Sequence, residues 1–190
     1  MSARTEAFGI GRGLAGRRPS EGALIRAAQR GSSEAIEELF RRHWPRAHRA
    51  AWLVVRDAAA AEDIAQEAFL AGVRALDRFD RRRPFGPWVH RIVVNRAIDH
   101  ARSRALRREV DVAAASALPA PADPGTPFSA EVMAAMDGLS PEHRAVVALR
   151  YVLDFTPGEI AAAIDLPRGT VNSRLRRALD RLSDALEAER

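Results

Sequence analysis

Residues 156 to 182 constrain this chain most, because they contain a helix start, a tight turn and a second, charged helix. Thr156-Pro157-Gly158-Glu159 has the form of a capping box. The Thr156 hydroxyl can accept from the Glu159 amide and Glu159 can reach back to the Thr156 amide. Pro157 stands where a first-turn residue lacks a hydrogen-bond partner anyway. The helix that starts here is short, apolar at Ile160 and Ile164, and stopped by Asp165-Leu166-Pro167. Beyond the turn, Val171, Leu175, Ala178, Leu179 and Leu182 recur at three- and four-residue spacing as a packing face. Gly169, Asn172, Ser173, Arg176 and Arg177 fall opposite.

Charge separates a plain helical hairpin from a reader of DNA. Residues 168 to 182 hold five arginines (168, 174, 176, 177 and 181) against Asp180, a net +4. A helix fits the major groove, its first residues reach base edges, and flanking arginines hold phosphates. Thr170, Asn172, Ser173, Arg176 and Arg177 are therefore expected on or beside the groove face, with Arg168 and Arg174 flanking it at phosphates. The competing reading is a solvated basic helix in a helical hairpin.

No stretch alternates like a strand, so the expected fold is all-α. With 190 residues and 47% apolar content, two small helical domains joined by a flexible Pro/Ala-rich linker are the natural division. Residues 1–19 read as a disordered basic arm rich in Gly and Arg. Residues 20–109 form the first domain. Ser20 or Glu21 starts a helix closed by Gly31, Ser33 opens a longer one that Pro45 should kink or split, and Asp57 caps a third running to Leu76. A loop over 77–87 leads into a helix from Phe85 or Trp88 to Arg108. Residues 110–128, with four prolines, are the linker. Residues 129–190 are the second domain: a short helix from Ser129 to Asp137, one opening at Ser140-Pro141, then the helix-turn-helix.

Two charge blocks occupy the first domain. Glu62, Asp63, Gln66 and Glu67 make an acidic, amide-bearing face in a chain of net charge +5. Such a face suits a positive protein surface better than DNA, although acid at a helix start is also favoured by the dipole alone. From Arg78 to Arg108, ten arginines stand against Asp80 and Asp99, a net +8. Arg91, Asn95, Asp99 and Arg102 share one helical stripe, with Phe85, Trp88, Val89 and Ile92 beside it. A basic loop next to aromatic rings suits a single strand whose bases unstack, while Phe85 and Trp88 also fit a plain core.

Some chemistry is excluded. The chain has no cysteine, so it has no disulfide, thiolate zinc site or thiol switch, and a reducing cytoplasm is the default compartment. No run approaches the roughly 18 apolar residues of a spanning helix, and no membrane partner is expected. The five histidines lack metal-binding spacing, and neither a phosphate loop nor a nucleophile elbow is present. No catalytic residue, metal or cofactor is expected, and the chain does not read as an enzyme.

Leu139-Ser140-Pro141-Glu142-His143-Arg144, Val147-Ala148-Leu149-Arg150-Tyr151, Glu159-Ile160-Ala161 and Gly169-Thr170-Val171-Asn172-Ser173-Arg174-Leu175-Arg176-Arg177-Ala178-Leu179 resemble the carboxy-terminal DNA-binding domain of bacterial sigma factors. The likeness is to the extracytoplasmic-function (ECF) group of the sigma-70 family. Asn172 departs from the pattern, because that group very often carries a basic residue there. Ala61 to Phe69 resembles the block that docks on the clamp of the largest RNA polymerase subunit, which implies Glu62, Asp63, Gln66, Glu67 and Phe69 as polymerase contacts. Phe85, Trp88-Val89, Ile92, Asn95 and Ile98-Asp99 match the segment that melts and reads the minus-ten element. The resemblance implies that Arg78, Asp80, Arg81, Arg82, Arg83, Arg91, Asn95 and Asp99 meet the melted non-template strand, the loop taking a flipped base. It implies 20–109 as sigma region 2 and 129–190 as region 4, the latter reading the minus-thirty-five duplex. It also implies a second contact with polymerase, at the flap of the second-largest subunit, and a possible anti-sigma factor. The alternative from another class is a stand-alone helix-turn-helix regulator that does not bind polymerase. A third is a helical nucleic-acid binder without sequence preference.

Overall fold

The computed structural model describes residues 19–110 and 128–188, so most of the expected basic arm and linker lies outside the described residues. Every regular element among the described residues is helical. The first domain holds α1 (Glu21–Ala28), α2 (Ser33–Val55), α3 (Ala58–Ala75), a 3-10 turn (Leu76–Arg78) and α4 (Phe85–Val110). The second holds α5 (Ala130–Asp137), α6 (Pro141–Tyr151), α7 (Pro157–Ala163) and α8 (Arg168–Ala188).

Short polar side chains set the starts. Ser20, Asp57, Ser129 and Ser140 each accept a backbone N–H of the first turn. The capping box on α7 is complete: the Glu159 amide donates to Thr156 Oγ1 at 3.3 Å, and the Thr156 amide donates to Glu159 Oε2 at 2.7 Å. Two expectations shift. The cap of α2 is Ser32, one residue earlier than expected, and its hydroxyl accepts from the Ala35 amide at 3.2 Å. Pro45 does not split α2. Pro45 and Arg41 are both exposed, so the Arg41 carbonyl that loses its donor belongs to a residue in contact with water.

The last third of α2 is the axis of the molecule. Ala50, Ala51, Trp52, Leu53, Val54 and Val55 are all buried, and α2 as a whole packs against α1, α3, α4 and α6. Arg56 ends the helix in the left-handed conformation. It crosses to the second domain, where Nε donates to Asp137 at 2.7 Å and Nη2 to the Met133 carbonyl at 3.2 Å. Arg144 of α6 reaches the other way. Its Nε donates to the Val54 carbonyl at 2.9 Å and its Nη1 to the Leu139 carbonyl at 2.8 Å, and burial pushes its pKa down to about 10. Replacing Arg144 by Ala leaves both acceptors without a donor, and is expected to lower stability by roughly 2 kcal/mol in urea unfolding.

A histidine pair sits where α4 meets α2. His90 is buried, and burial followed by the neighbouring His43 hold its pKa down to about 4. Burial also lowers His43, against the Glu21 carboxylate 3.0 Å away. The folded state resists a proton at His90 that the unfolded chain takes up near 6.5. This contribution is therefore complete above about pH 6.5 and is lost as pH falls towards 4. By pH 5 the loss amounts to about 2 kcal/mol. Urea midpoints at pH 7 and 5 should show a smaller pH dependence for His90→Leu than for the natural chain. An equal dependence would remove His90 as its source.

Candidate nucleic-acid and protein interfaces

Glu62, Asp63, Gln66 and Glu67 lie exposed along one side of α3. They are not all free: Gln66 Nε2 donates to Glu62 at 3.3 Å, and Arg96 of α4 pairs with Glu67 at 2.8 Å. Asp57, at the foot of the helix, caps it through the Ala60 amide and takes Arg104 at 2.8 Å. The Ala60 amide, and then Arg104, hold its carboxyl below the usual range. Phe69 differs from the rest of its block. It is 3% exposed, with its ring against Phe40 and Trp44, so it supports the face from within the core. The apolar side chains that reach the surface beside the acids are Leu70 and Val73, at 55% and 38% exposure. Val73 keeps the apolar period of Ile64, Ala68 and Leu76 yet reaches the surface, and the spacing of Leu70 and Val73 from Asp63 and Gln66 puts both on the acidic side.

The loop between the 3-10 turn and α4 projects its charge. Arg78, Asp80, Arg81, Arg82 and Arg83 are exposed, while Phe79 and Phe85 at its two ends are buried. Phe79, Phe85 and Trp88 form one ring cluster with centroids 4.7 to 5.8 Å apart, so the core reading holds for Phe85 and Trp88 stays half-buried. The Asp80 carboxylate accepts from the Arg82 amide at 3.0 Å and its carbonyl from the Arg83 amide at 3.0 Å. It thereby shapes the turn that carries the arginines.

Along α4, Arg91 and Asp99 are exposed and Asn95 is half-buried. This stripe faces the second domain. Asn95 Nδ2 donates to the Ala163 carbonyl at the end of α7 at 3.1 Å, and Arg102 pairs with Glu142 of α6 at 2.9 Å. Arg174 of α8 lines the same cleft as Arg91, Asn95 and Asp99.

In the helix-turn-helix, Val171, Leu175, Ala178 and Leu182 pack inward as their spacing predicts, but Leu179 is 42% exposed. Asp165 adopts the left-handed conformation that turns α7 into α8, and the Leu166 amide returns to the Ala161 carbonyl at 3.0 Å. Arg168, Gly169, Asn172, Arg176 and Arg177 are exposed. Thr170, Ser173 and Arg174 are half-buried, and the Ser173 hydroxyl donates back to the Thr170 carbonyl at 2.9 Å. The open part of the face expected to meet the groove is thus Asn172, Arg176 and Arg177, with Arg168 exposed beside it.

No group of His, Cys, Asp or Glu among the described residues could hold a metal ion, and none of the described helices is long and apolar enough to cross a membrane.

Comparison with known proteins matches residues 39–107 to the family model of sigma-70 region 2, and residues 129–182 to that of sigma-70 region 4. RNA polymerase sigma factor CarQ of Myxococcus xanthus is 32% identical over 161 residues, covering 82% of this chain and 91% of its own. The ECF RNA polymerase sigma-E factor of Escherichia coli K12 is 30% identical over 180 residues, covering 86% and 93%. Among solved structures, CnrH in complex with the cytosolic domain of CnrY superposes with a TM-score of 0.66 at 28% identity, over 90% of this chain and 99% of that one. The helices, the helix-turn-helix and these relatives agree: the chain belongs to the ECF group of the sigma-70 family of RNA polymerase sigma factors.

Proposed function

We propose that this sigma factor directs core RNA polymerase to promoters through three separate surfaces of its own. The acidic side of α3, with Glu62, Asp63, Gln66 and Glu67 flanked by Leu70 and Val73, meets a basic, partly apolar surface of the polymerase clamp. Arg78 and Arg81 to Arg83, with the α4 stripe of Arg91, Asn95 and Asp99, take the melted non-template strand at minus ten. The open face of α8, with Arg168, Asn172, Arg176 and Arg177, reads the minus-thirty-five duplex. On this reading residues 20–109 act as region 2, residues 129–190 act as region 4 and also meet the flap of the second-largest subunit, and the protein works in the cytoplasm. It supplies recognition and melting, whereas RNA synthesis belongs to polymerase.

The observation that carries the reading is the separation of charge on one helical framework: an exposed acidic side on α3 and an exposed basic loop before α4, apart from a third surface on the helix-turn-helix. A stand-alone regulator would need only the last of these. CnrH carries the cytosolic domain of CnrY in its structure. An anti-sigma partner of this chain would act by covering the same three surfaces.

The test is assembly. Reversing Glu62 and Asp63 to Arg should abolish binding to core polymerase in size-exclusion chromatography with helical content unchanged, since both side chains are exposed. Retention of core binding would sink the clamp assignment.

The α8 face gives a second prediction. Arg176→Ala in the holoenzyme should cost roughly 1 to 3 kcal/mol on the minus-thirty-five duplex and relax preference at one base pair. Arg168→Ala should weaken all sequences alike and reduce the salt slope by about one. If the two variants exchanged these effects, the helix would be docked with a different rotation. Asn172 should favour adenine at its position, because an amide can make a paired contact to adenine that a Lys there could not.

A further inference from the structure

The loop carrying Arg81, Arg82 and Arg83 has a built foundation that lies outside the residues matched to either family model. Three adjacent cations repel one another, and within the loop the Arg82 and Arg83 amides close the turn at Asp80. Such a segment would explore many conformations unless its ends were fixed. Both ends are fixed, and by one element. At the near end, Gln29, the residue that closes α1, donates its Nε2 to the Leu76 carbonyl at 2.9 Å and to the Phe79 carbonyl at 3.2 Å. At the far end, Glu21, the first residue of α1, accepts the Phe85 amide at 2.8 Å.

Each contact suits its chemistry. Phe85 opens α4, so its N–H is among those that a helix start leaves without an internal partner, and a carboxylate there also answers the positive end of the dipole. The second oxygen of Glu21 is 3.0 Å from His43 Nε2, which holds the carboxylate in place. The position of Gly86 makes this approach possible: a Cβ there would stand 2.9 Å from the His43 ring. Gln29 uses both amide protons on two carbonyls near one end of the loop, a bridge that a carboxylate of the same size could not make.

The geometry points to Glu21 and Gln29 as positioning residues for promoter melting: they touch no DNA themselves, but clamp the two ends of the Arg81–Arg83 loop so that it presents a fixed shape to the unstacked minus-ten strand. This rests on the reading of that loop as the strand's receiver. It assigns a task to α1, which precedes the matched region beginning at residue 39.

Positioning and charge can be separated by salt. Replacing Arg81, Arg82 and Arg83 by Ala removes cations, so binding of the holoenzyme to a single-stranded minus-ten oligonucleotide should weaken and its salt slope should fall. Gln29→Ala removes only the clamp, whereas the isosteric Gln29→Glu removes the clamp and adds one negative charge. Gln29→Ala should weaken the same probe on the order of tenfold, the equivalent of one lost anchoring bond, with the slope unchanged. Fluorescence of a 2-aminopurine placed in the minus-ten element should report less unstacking in the open complex. Glu21→Ala should behave alike, and Glu21→Asp, which keeps a carboxylate, should recover part of the loss. Binding to a minus-thirty-five duplex and helical content by circular dichroism should stay as in the natural chain for every variant.

If the triple arginine variant loses nothing on the single strand, the loop is not the receiver and the functional reading of it fails. If that variant loses affinity while Gln29→Ala, Gln29→Glu and Glu21→Ala do not, the clamp proposal is overturned and the loop reading stands. Equal losses on the single strand and the duplex, or a fall in helicity, would also overturn it, because the two residues would then be supporting the fold as a whole.

Discussion

The Val54 carbonyl accepts a hydrogen bond from Arg144, a guanidinium that enters ninety residues later in the chain. Much of the arrangement depends on that meeting. The end of α2 is so thoroughly buried that water is poorly placed to satisfy its last carbonyls, and a helix end without partners is costly. The second domain supplies the donor. In return Arg56, lying over the Trp52 ring at 4.4 Å, gives its guanidinium to Asp137. The two domains therefore do more than share a linker: each completes the other's unsatisfied backbone or charge.

An all-arginine set of basic residues makes this exchange possible and also hides it. Thirty cations of one kind look uniform in the sequence. In the structure they divide by position. Arg96, Arg102 and Arg104 spend their charge on Glu67, Glu142 and Asp57, while Arg78 and Arg81 to Arg83 stand in solvent. The block of net charge +8 is thus partly a structural brace along α4 and partly a free loop in front of it. Planar guanidinium groups serve both tasks, since the same fork that grips phosphate also grips carboxylates and carbonyls.

What could be read directly from the sequence was what depends on neighbours a few residues apart. The caps at Ser20, Asp57, Ser129 and Ser140 and the capping box at Thr156 involve partners three residues away, and the stripe through Val171, Leu175 and Ala178 follows from helical period alone. Ser33 was expected to open α2, and its neighbour Ser32 caps it instead. Where the reading stopped, the cause was distance in the chain. Phe69 matches a docking block, yet it turns inward because Phe40 and Trp44 await it from α2. Asn95 and Arg102 share a stripe on α4, but nothing local says that Ala163 and Glu142 will meet them. Leu179 keeps the helical period and still faces solvent, because α5, α6 and α7 leave that edge of α8 uncovered.

The contact of Asn95 with the Ala163 carbonyl bears on affinity as well as architecture. If the α4 stripe takes a strand as proposed, that strand would meet the end of α7 at Asn95. On the proposed reading, free protein in this arrangement and protein holding such a strand would be alternative states of one equilibrium. The affinity observed for the strand would then equal the intrinsic affinity multiplied by the fraction of molecules whose domains have parted. Any partner that binds the parted form more tightly raises that fraction, and so strengthens strand binding without touching the strand.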